Sequence, residues 1–254
     1  MSPRELAALS SRLHADGVAH AWVTVVRTAG STPRKAGAKM LVTRDASFGT
    51  VGGGRVEREL IDEARAAIAA GEPRLVTRHL GHDLAMCCGG EMQSFVEPVS
   101  APETLVLVGA GHVHHALAPV ALALGYELTV ADDLDELLTE ARFAGARLAP
   151  SFAPSEWGVR LDARAHVVVA TRDHDVDQEV LLALSRLDAQ LAYVGVIGSV
   201  AKVTKFKRRL EARGAPASFV ERLRGPIGLD IGAETPEEIA VAVAAELIAL
   251  RRSR

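Results

Sequence analysis

An apolar run from Leu105 to Val108 ends in Gly109-Ala110-Gly111 and passes into His112-Val113-His114. A strand that turns on two glycines into a helix is a phosphate-binding device. The first glycine permits the tight turn, and the second lets a phosphate approach the free N–H groups of the helix start. Asp132 falls 21 residues after Gly111, close to the spacing of about 20 at which an acid holds a ribose hydroxyl. Candidate cofactor-binding residues here are Gly109, Ala110, Gly111, His112, Val113 and Asp132. The third glycine of the fingerprint is replaced by His114, so helix–strand packing there must be looser or different. The bland alternative is a nucleotide-type shell that holds nothing; the strand context and Asp132 favour nucleotide binding.

Four further constellations stand out. Cys87 and Cys88 are adjacent, between Met86 and Gly89-Gly90. A loop thiol near backbone N–H groups can be a reactive thiolate, a sulfur carrier or a soft metal ligand; a pair of small buried hydrophobes is the alternative. The spacing lacks the Cys-x-x-Cys pairs of a structural zinc site. Thr171-Arg172-Asp173-His174-Asp175-Val176-Asp177 follows an apolar strand, where open α/β sheets bind ligands. Thr171, Asp173 and His174 are its candidate binding residues, and an aspartate there can also cap a helix. Gly198-Ser199, with Lys202 after it, repeats the strand–glycine–helix pattern: Ser199 suits a cap and Lys202 an anion. Finally, Gly30-Ser31-Thr32-Pro33-Arg34 and Gly49 to Glu57 supply two glycine-rich turns. Ligand approach and plain tight-turn chemistry explain these two equally well.

The elements that must carry these residues differ between the two halves. After Pro98–Glu103, a segment with two prolines, strands at Thr104–Val108, Glu127–Val130, His166–Ala170 and Tyr193–Ile197 alternate with helices at His112–Leu124, Val176–Leu187 and Ser199–Arg213. That alternation predicts a Rossmann-type parallel sheet with helices on both faces. A last helix starts at Thr235, with Pro236 and Glu238 placed for a capping box. Before the prolines the order is mixed: strands at Ala21–Arg27, Lys39–Thr43, Leu75–His79 and Met92–Val96, a strand through Thr50 into the glycine turn, and a helix at Arg55–Ala70. The expected organisation is α/β: a smaller N-terminal α+β domain, residues 1–99, and a C-terminal Rossmann-type domain, residues 100–254.

Bulk properties bound the partners. Net charge is −3, which gives no footprint for nucleic acid. The cluster Lys202, Lys205, Lys207, Arg208 and Arg209 reads as a solvated helix face. No apolar run reaches the roughly 20 residues of a membrane helix, and Met1–Asp16 reads as an amphipathic helix rather than a signal peptide. Two adjacent cysteines cannot staple distant segments, so a reduced, cytoplasmic setting is expected.

The ordered set of motifs resembles the XdhC/CoxI family of xanthine dehydrogenase accessory proteins. It comprises Gly30–Val42, Gly49–Glu57, Cys87–Gly90, Val108–Val113, Thr171–Asp177, Gly195–Lys202 and Pro226–Ala240. The resemblance implies a chaperone rather than a turnover enzyme. Such proteins bind the molybdenum cofactor, in its molybdopterin or dinucleotide form. They hold it while a cysteine desulfurase supplies the terminal sulfido ligand, then pass it to a molybdenum hydroxylase. On that reading Cys88, with Cys87, acts as the thiolate near molybdenum, and the Gly109–Gly111 turn accepts the phosphate. The rival is an NAD(P)-dependent oxidoreductase, for which the turn and Asp132 speak equally and His174 would be the acid; a third option is a scaffold that binds nothing. A homodimer is expected if one chain does not bring Cys88 and the Gly109 turn to a shared cleft.

Overall fold

The computed structural model describes residues 1–81, 89–187 and 189–253. The chain divides into two compact units, Met1–Pro102 and Glu103–Arg254.

The first unit opens on α1 (Pro3–Ala15), whose Ser2–Glu5 capping box fixes its start. Next come β1 (His20–Ala29), β2 (Lys39–Thr43), β3 (Ser47–Gly49), α2 (Gly54–Ala70), β4 (Arg74–His79) and β5 (Glu91–Val99). The strands form an antiparallel sheet in the order β3-β2-β1-β5-β4. Helix α2 buries Val56, Leu60, Ala64 and Ala67 against Val23, Val25, Met40, Val42 and Val96 of the sheet. Burial of a side chain such as Leu60 contributes about 1.5–3 kcal/mol.

Two sequence expectations are corrected in this unit. The strand before the glycine turn ends at Gly49 rather than running through Thr50. Strand β5 continues through Pro98, which pairs with Ala21. Pairing with β4 stops at Val96, so Pro98 has a strand neighbour on one side only. A ring without an N–H is tolerated at such an edge.

The second unit contains β6 (Thr104–Val108), α3 (His112–Ala123), β7 (Glu127–Ala131), β8 (Arg147–Ala149), β9 (Ala165–Val169), α4 (His174–Ser185), β10 (Tyr193–Val196), α5 (Val200–Ala212), α6 (Ala217–Arg222) and α7 (Pro236–Arg252). Its sheet is parallel throughout, in the order β10-β9-β6-β7-β8. Helices cover both faces, as the strand–helix alternation predicts. One core joins the sheet to α4, α5 and α6, through Val180, Phe206 and Phe219. The other joins it to α3 and α7, through Leu117, Val243 and Leu247. Helix α7 starts on the predicted Thr235–Glu238 capping box. Among the described residues, no helix is long and apolar enough to cross a membrane.

Candidate functional site

In the second unit, α3 leaves the end of β6 toward one face of the sheet, while α4 leaves the adjacent β9 toward the other. This is a topological switch point, where the departing loops leave a crevice at the carboxyl edge. Gly109 must be glycine there. Its φ is +109°, and a Cβ would meet the Ala170 carbonyl oxygen at 2.3 Å. Ala110 is buried behind the turn. Gly111 differs: it has φ −73°, caps α3 without a side-chain bond, and a Cβ there would meet nothing within 4 Å. Space is therefore open directly over the helix start, with His112 exposed and Val113 half-buried beside it.

Asp132, at the end of β7, lies against this turn and is 3% exposed. Its Oδ2 accepts from the Ala110 N–H at 2.6 Å, and its Oδ1 accepts from the Leu134 N–H at 3.0 Å. The carboxylate thus braces the turn from inside. His114 explains the missing third glycine. Rather than loosening the packing, its ring fills the position, 1% exposed, with Nδ1 2.6 Å from the Gly109 carbonyl oxygen. A carbonyl only accepts, so Nδ1 carries the proton. Nε2 has no hydrogen-bond partner among the described residues. Burial pushes this imidazole down to about 4, despite the opposing pull of Gly109, Asp177 and Asp132.

The β9–α4 loop closes the other wall. Asp173 caps α4 by accepting from the Asp175 N–H at 2.8 Å. Asp177 is fully buried, and its Oδ1 accepts from the Thr171 N–H at 2.9 Å. Its Oδ2 has no hydrogen-bond partner among the described residues; His174 Nδ1 and Lys202 Nζ stand 3.5 and 3.6 Å away. Lys202 reaches that place across Gly198, where a Cβ would meet its Cδ at 2.6 Å. Ser199 caps α5 by accepting from the Lys202 N–H. Beyond Gly198 opens a cleft of about 580 Å³, lined by Ile197, Val200, Ile227, Leu229, Ile231 and Ile239.

The carboxyl edge therefore gathers Gly109 to Val113, Asp132, Thr171, Asp173, His174, Gly198, Ser199 and Lys202 on one sheet. Sequence reasoning did not single out His114 and Asp177 as a buried polar pair, nor Arg172 and Asp133. Arg172 Nη1 and Nη2 bond Asp133 at 2.5 and 2.9 Å, and Nη1 lies 3.4 Å from Asp132 Oδ1. For Asp177 a signal existed: it lies six residues past Thr171, on the same short loop and helix start.

In the first unit the glycine turn is explained by Glu57. Its Oε2 accepts from the Thr50 hydroxyl at 2.5 Å and from the Val51 and Gly53 N–H groups at 3.0 Å each. Burial would raise this carboxyl, but the bonds from Thr50, Gly53, Val51 and Gly52 hold it below its usual value. Gly90 packs tightly on the other glycine loop: a Cβ would meet the Ser31 and Ala29 carbonyl oxygens at 2.4 and 2.5 Å. Cys87 and Cys88, the candidate thiolates, lie outside the described residues.

Fold and site together define a two-unit α/β protein with a Rossmann-type crevice whose acid is turned inward. A model described as the XdhC Rossmann domain matches residues 105–247, and one described as the XdhC and CoxI family matches residues 13–79. The chain belongs to the XdhC and CoxI family. It is 35% identical over 253 residues to YqeB of Escherichia coli (strain K12), covering 96% of this chain and 46% of YqeB. It is 32% identical over 160 residues to a probable xanthine dehydrogenase subunit of Bacillus subtilis (strain 168), covering 62% of this chain and 46% of that protein. The chain thus spans about half the length of these two relatives. Similarity to the E. coli molybdenum cofactor insertion chaperone PaoD is 23% over 265 residues, covering 90% of this chain and 82% of PaoD. A crystal structure from Bacillus halodurans, described as a xanthine dehydrogenase, shares the fold. Its TM-score is 0.54 at 23% identity, over 100% of this chain and 97% of that one.

Proposed function

We propose that this chain binds the molybdenum cofactor as cargo and serves its insertion into a xanthine dehydrogenase-type molybdenum hydroxylase. The observation that carries the reading against an NAD(P)-dependent oxidoreductase is Asp132. To hold a ribose, that carboxylate must face the ligand. Here it is buried, with an oxygen on each of the Ala110 and Leu134 N–H groups. A phosphate is still accommodated, because the space over Gly111 is open and a helix start offers N–H donors and a positive dipole end. Lys202, beside the buried Asp177, lines the same edge. The cleft beside Gly198 has the size and apolar lining of a ring-binding pocket. The similarity to PaoD over most of both chains supports the cargo.

In this account the Gly109–Val113 turn takes the phosphate or pyrophosphate of the molybdopterin or its dinucleotide form. Thr171, Asp173 and His174 line the neighbouring wall, and Gly198, Ser199 and Lys202 the far one. Cys88, with Cys87, is a soft thiolate ligand for the molybdenum. A cysteine desulfurase is the proposed source of the terminal sulfido ligand, the cytoplasm the proposed setting, and a homodimer the proposed way to unite thiol and phosphate sites should one chain not do so.

Two titrations test this. The wild type is expected to bind the released molybdenum cofactor and to leave NADH unbound; NADH binding without pterin binding would replace the proposal with the dehydrogenase reading. Cys88→Ala is expected to weaken cofactor binding by roughly tenfold or more, a lost metal–ligand contact. Unchanged affinity would remove Cys88 from the site.

A further inference from the structure

The crevice edge is rich in negative charge. Asp132, Asp133, Asp173, Asp175 and Asp177 all lie on the loops or helix starts that form it. A phosphate brought to Gly111 meets this field, so a movable positive charge must offset it. Lys202 is already committed, with its Nζ 3.6 Å from the buried Asp177 Oδ2 and its own side chain mostly buried. Arg172 is differently placed. Its guanidinium extends from the β9–α4 loop to the end of β7, where it bonds both oxygens of Asp133. In the strand order β7 and β9 flank β6, so this pair bridges the two loops on either side of the Gly109 turn. Nη1 also lies 3.4 Å from Asp132 Oδ1, while the other oxygen of that carboxylate is 2.6 Å from the Ala110 N–H. The guanidinium is thus one carboxylate's width from the turn.

The pair lies where a ligand and water can reach both partners. Arg172 and Asp133 are 46% and 45% exposed, and exposed ion pairs are weakly held. A phosphate group carries more charge than a single carboxylate and matches the guanidinium fork equally well. Phe152 lies under the guanidinium, with Cζ 5.8 Å from the ring centroid, and can keep the arm in place as its partner changes.

We propose that Arg172 reads the phosphate of the cargo, exchanging Asp133 for the ligand, and that Asp133 holds it in reserve. This rests on the proposed function, and it assigns the specificity for a phosphorylated ligand to a residue outside the glycine turn. Asp133 then acts as an internal competitor. Removing its charge frees Arg172 and tightens binding, whereas removing Arg172 exposes the ligand to the acidic edge.

The test compares wild type, Arg172→Ala, Arg172→Lys and Asp133→Asn, each binding the released molybdenum cofactor and, separately, inorganic pyrophosphate. Thermal unfolding checks that each variant is folded. Arg172→Ala is expected to weaken both probes by roughly tenfold, the loss of one charge-assisted contact. Arg172→Lys should recover part of that, since it keeps the charge without the fork. Asp133→Asn is expected to strengthen both by roughly threefold, the release of one exposed ion pair, and to make binding more sensitive to added salt, because no competing ion pair is screened along with the ligand's. Weaker or unchanged binding in folded Asp133→Asn overturns the exchange, even if Arg172→Ala does not fold. If the wild type binds the cofactor and none of the variants differs, Arg172 has no part in recognition and the proposed function stands. If the wild type binds neither probe, the proposed function falls first.

Discussion

At the scale of single residues, the crevice holds a buried imidazole that does not titrate as it does in water. His114 is held to about 4 by burial against about 6.5 in an unfolded chain. Between those values the unfolded chain binds a proton that the folded one refuses, so stability falls as pH drops from about 6.5 toward 4. The gap corresponds to about 3 kcal/mol at the acid end. Chemical denaturation across that window should show the decline, and His114→Gln should flatten it. Equal slopes in the two proteins would mean that His114 is protonated or exposed in the folded state. Glu57 makes a second prediction. Glu57→Ala strands the buried Val51 N–H along with that of Gly53. It is expected to cost about 2 kcal/mol, read as a lower denaturant midpoint.

At the scale of elements, the two glycines of the β6–α3 turn do different work, and alanine separates them. Gly109→Ala drives a Cβ into the Ala170 carbonyl in a left-handed backbone. It is expected to destabilise the second unit by several kcal/mol, to the order of the larger single-residue effects. Gly111→Ala meets open space at an ordinary φ. Its thermal midpoint should stay near that of wild type while cofactor affinity drops, because the methyl group enters the phosphate's approach. A Gly111→Ala variant with unaltered affinity would move the phosphate elsewhere.

These elements were largely legible in the sequence. The apolar strands of the parallel sheet, the Ser199 and Asp173 caps and the Thr235 capping box are local patterns that tertiary structure leaves intact. Short β8 and α6 were not legible, because a three-residue strand and a six-residue helix carry too little periodicity. Pro98 misled because its edge position depends on where β4 ends. The site was half legible. Motif spacing finds the glycines and the acid, but not which way a carboxylate faces. Asp132 points inward to Ala110, and Arg172 pairs across 39 residues with Asp133; neither relation has a local signature.

At the scale of the molecule, each unit has its own sheet and core. Residues 103–254 expressed alone are therefore expected to unfold cooperatively, as a domain with a complete core does; a broad transition without a defined midpoint would count against this. Fragment and full chain then divide the functional question, since the proposed phosphate-binding residues lie in the fragment and Cys87 and Cys88 outside it. The most direct measurement is made on the whole chain: incubation with molybdenum cofactor released from a molybdenum hydroxylase, gel filtration, and assay of the protein peak for pterin and molybdenum. The account predicts that both co-elute with the chain, in a fixed ratio near one per binding site, and that NADH does not compete. Pterin and molybdenum eluting free of the chain, or displaced by NADH, would contradict it.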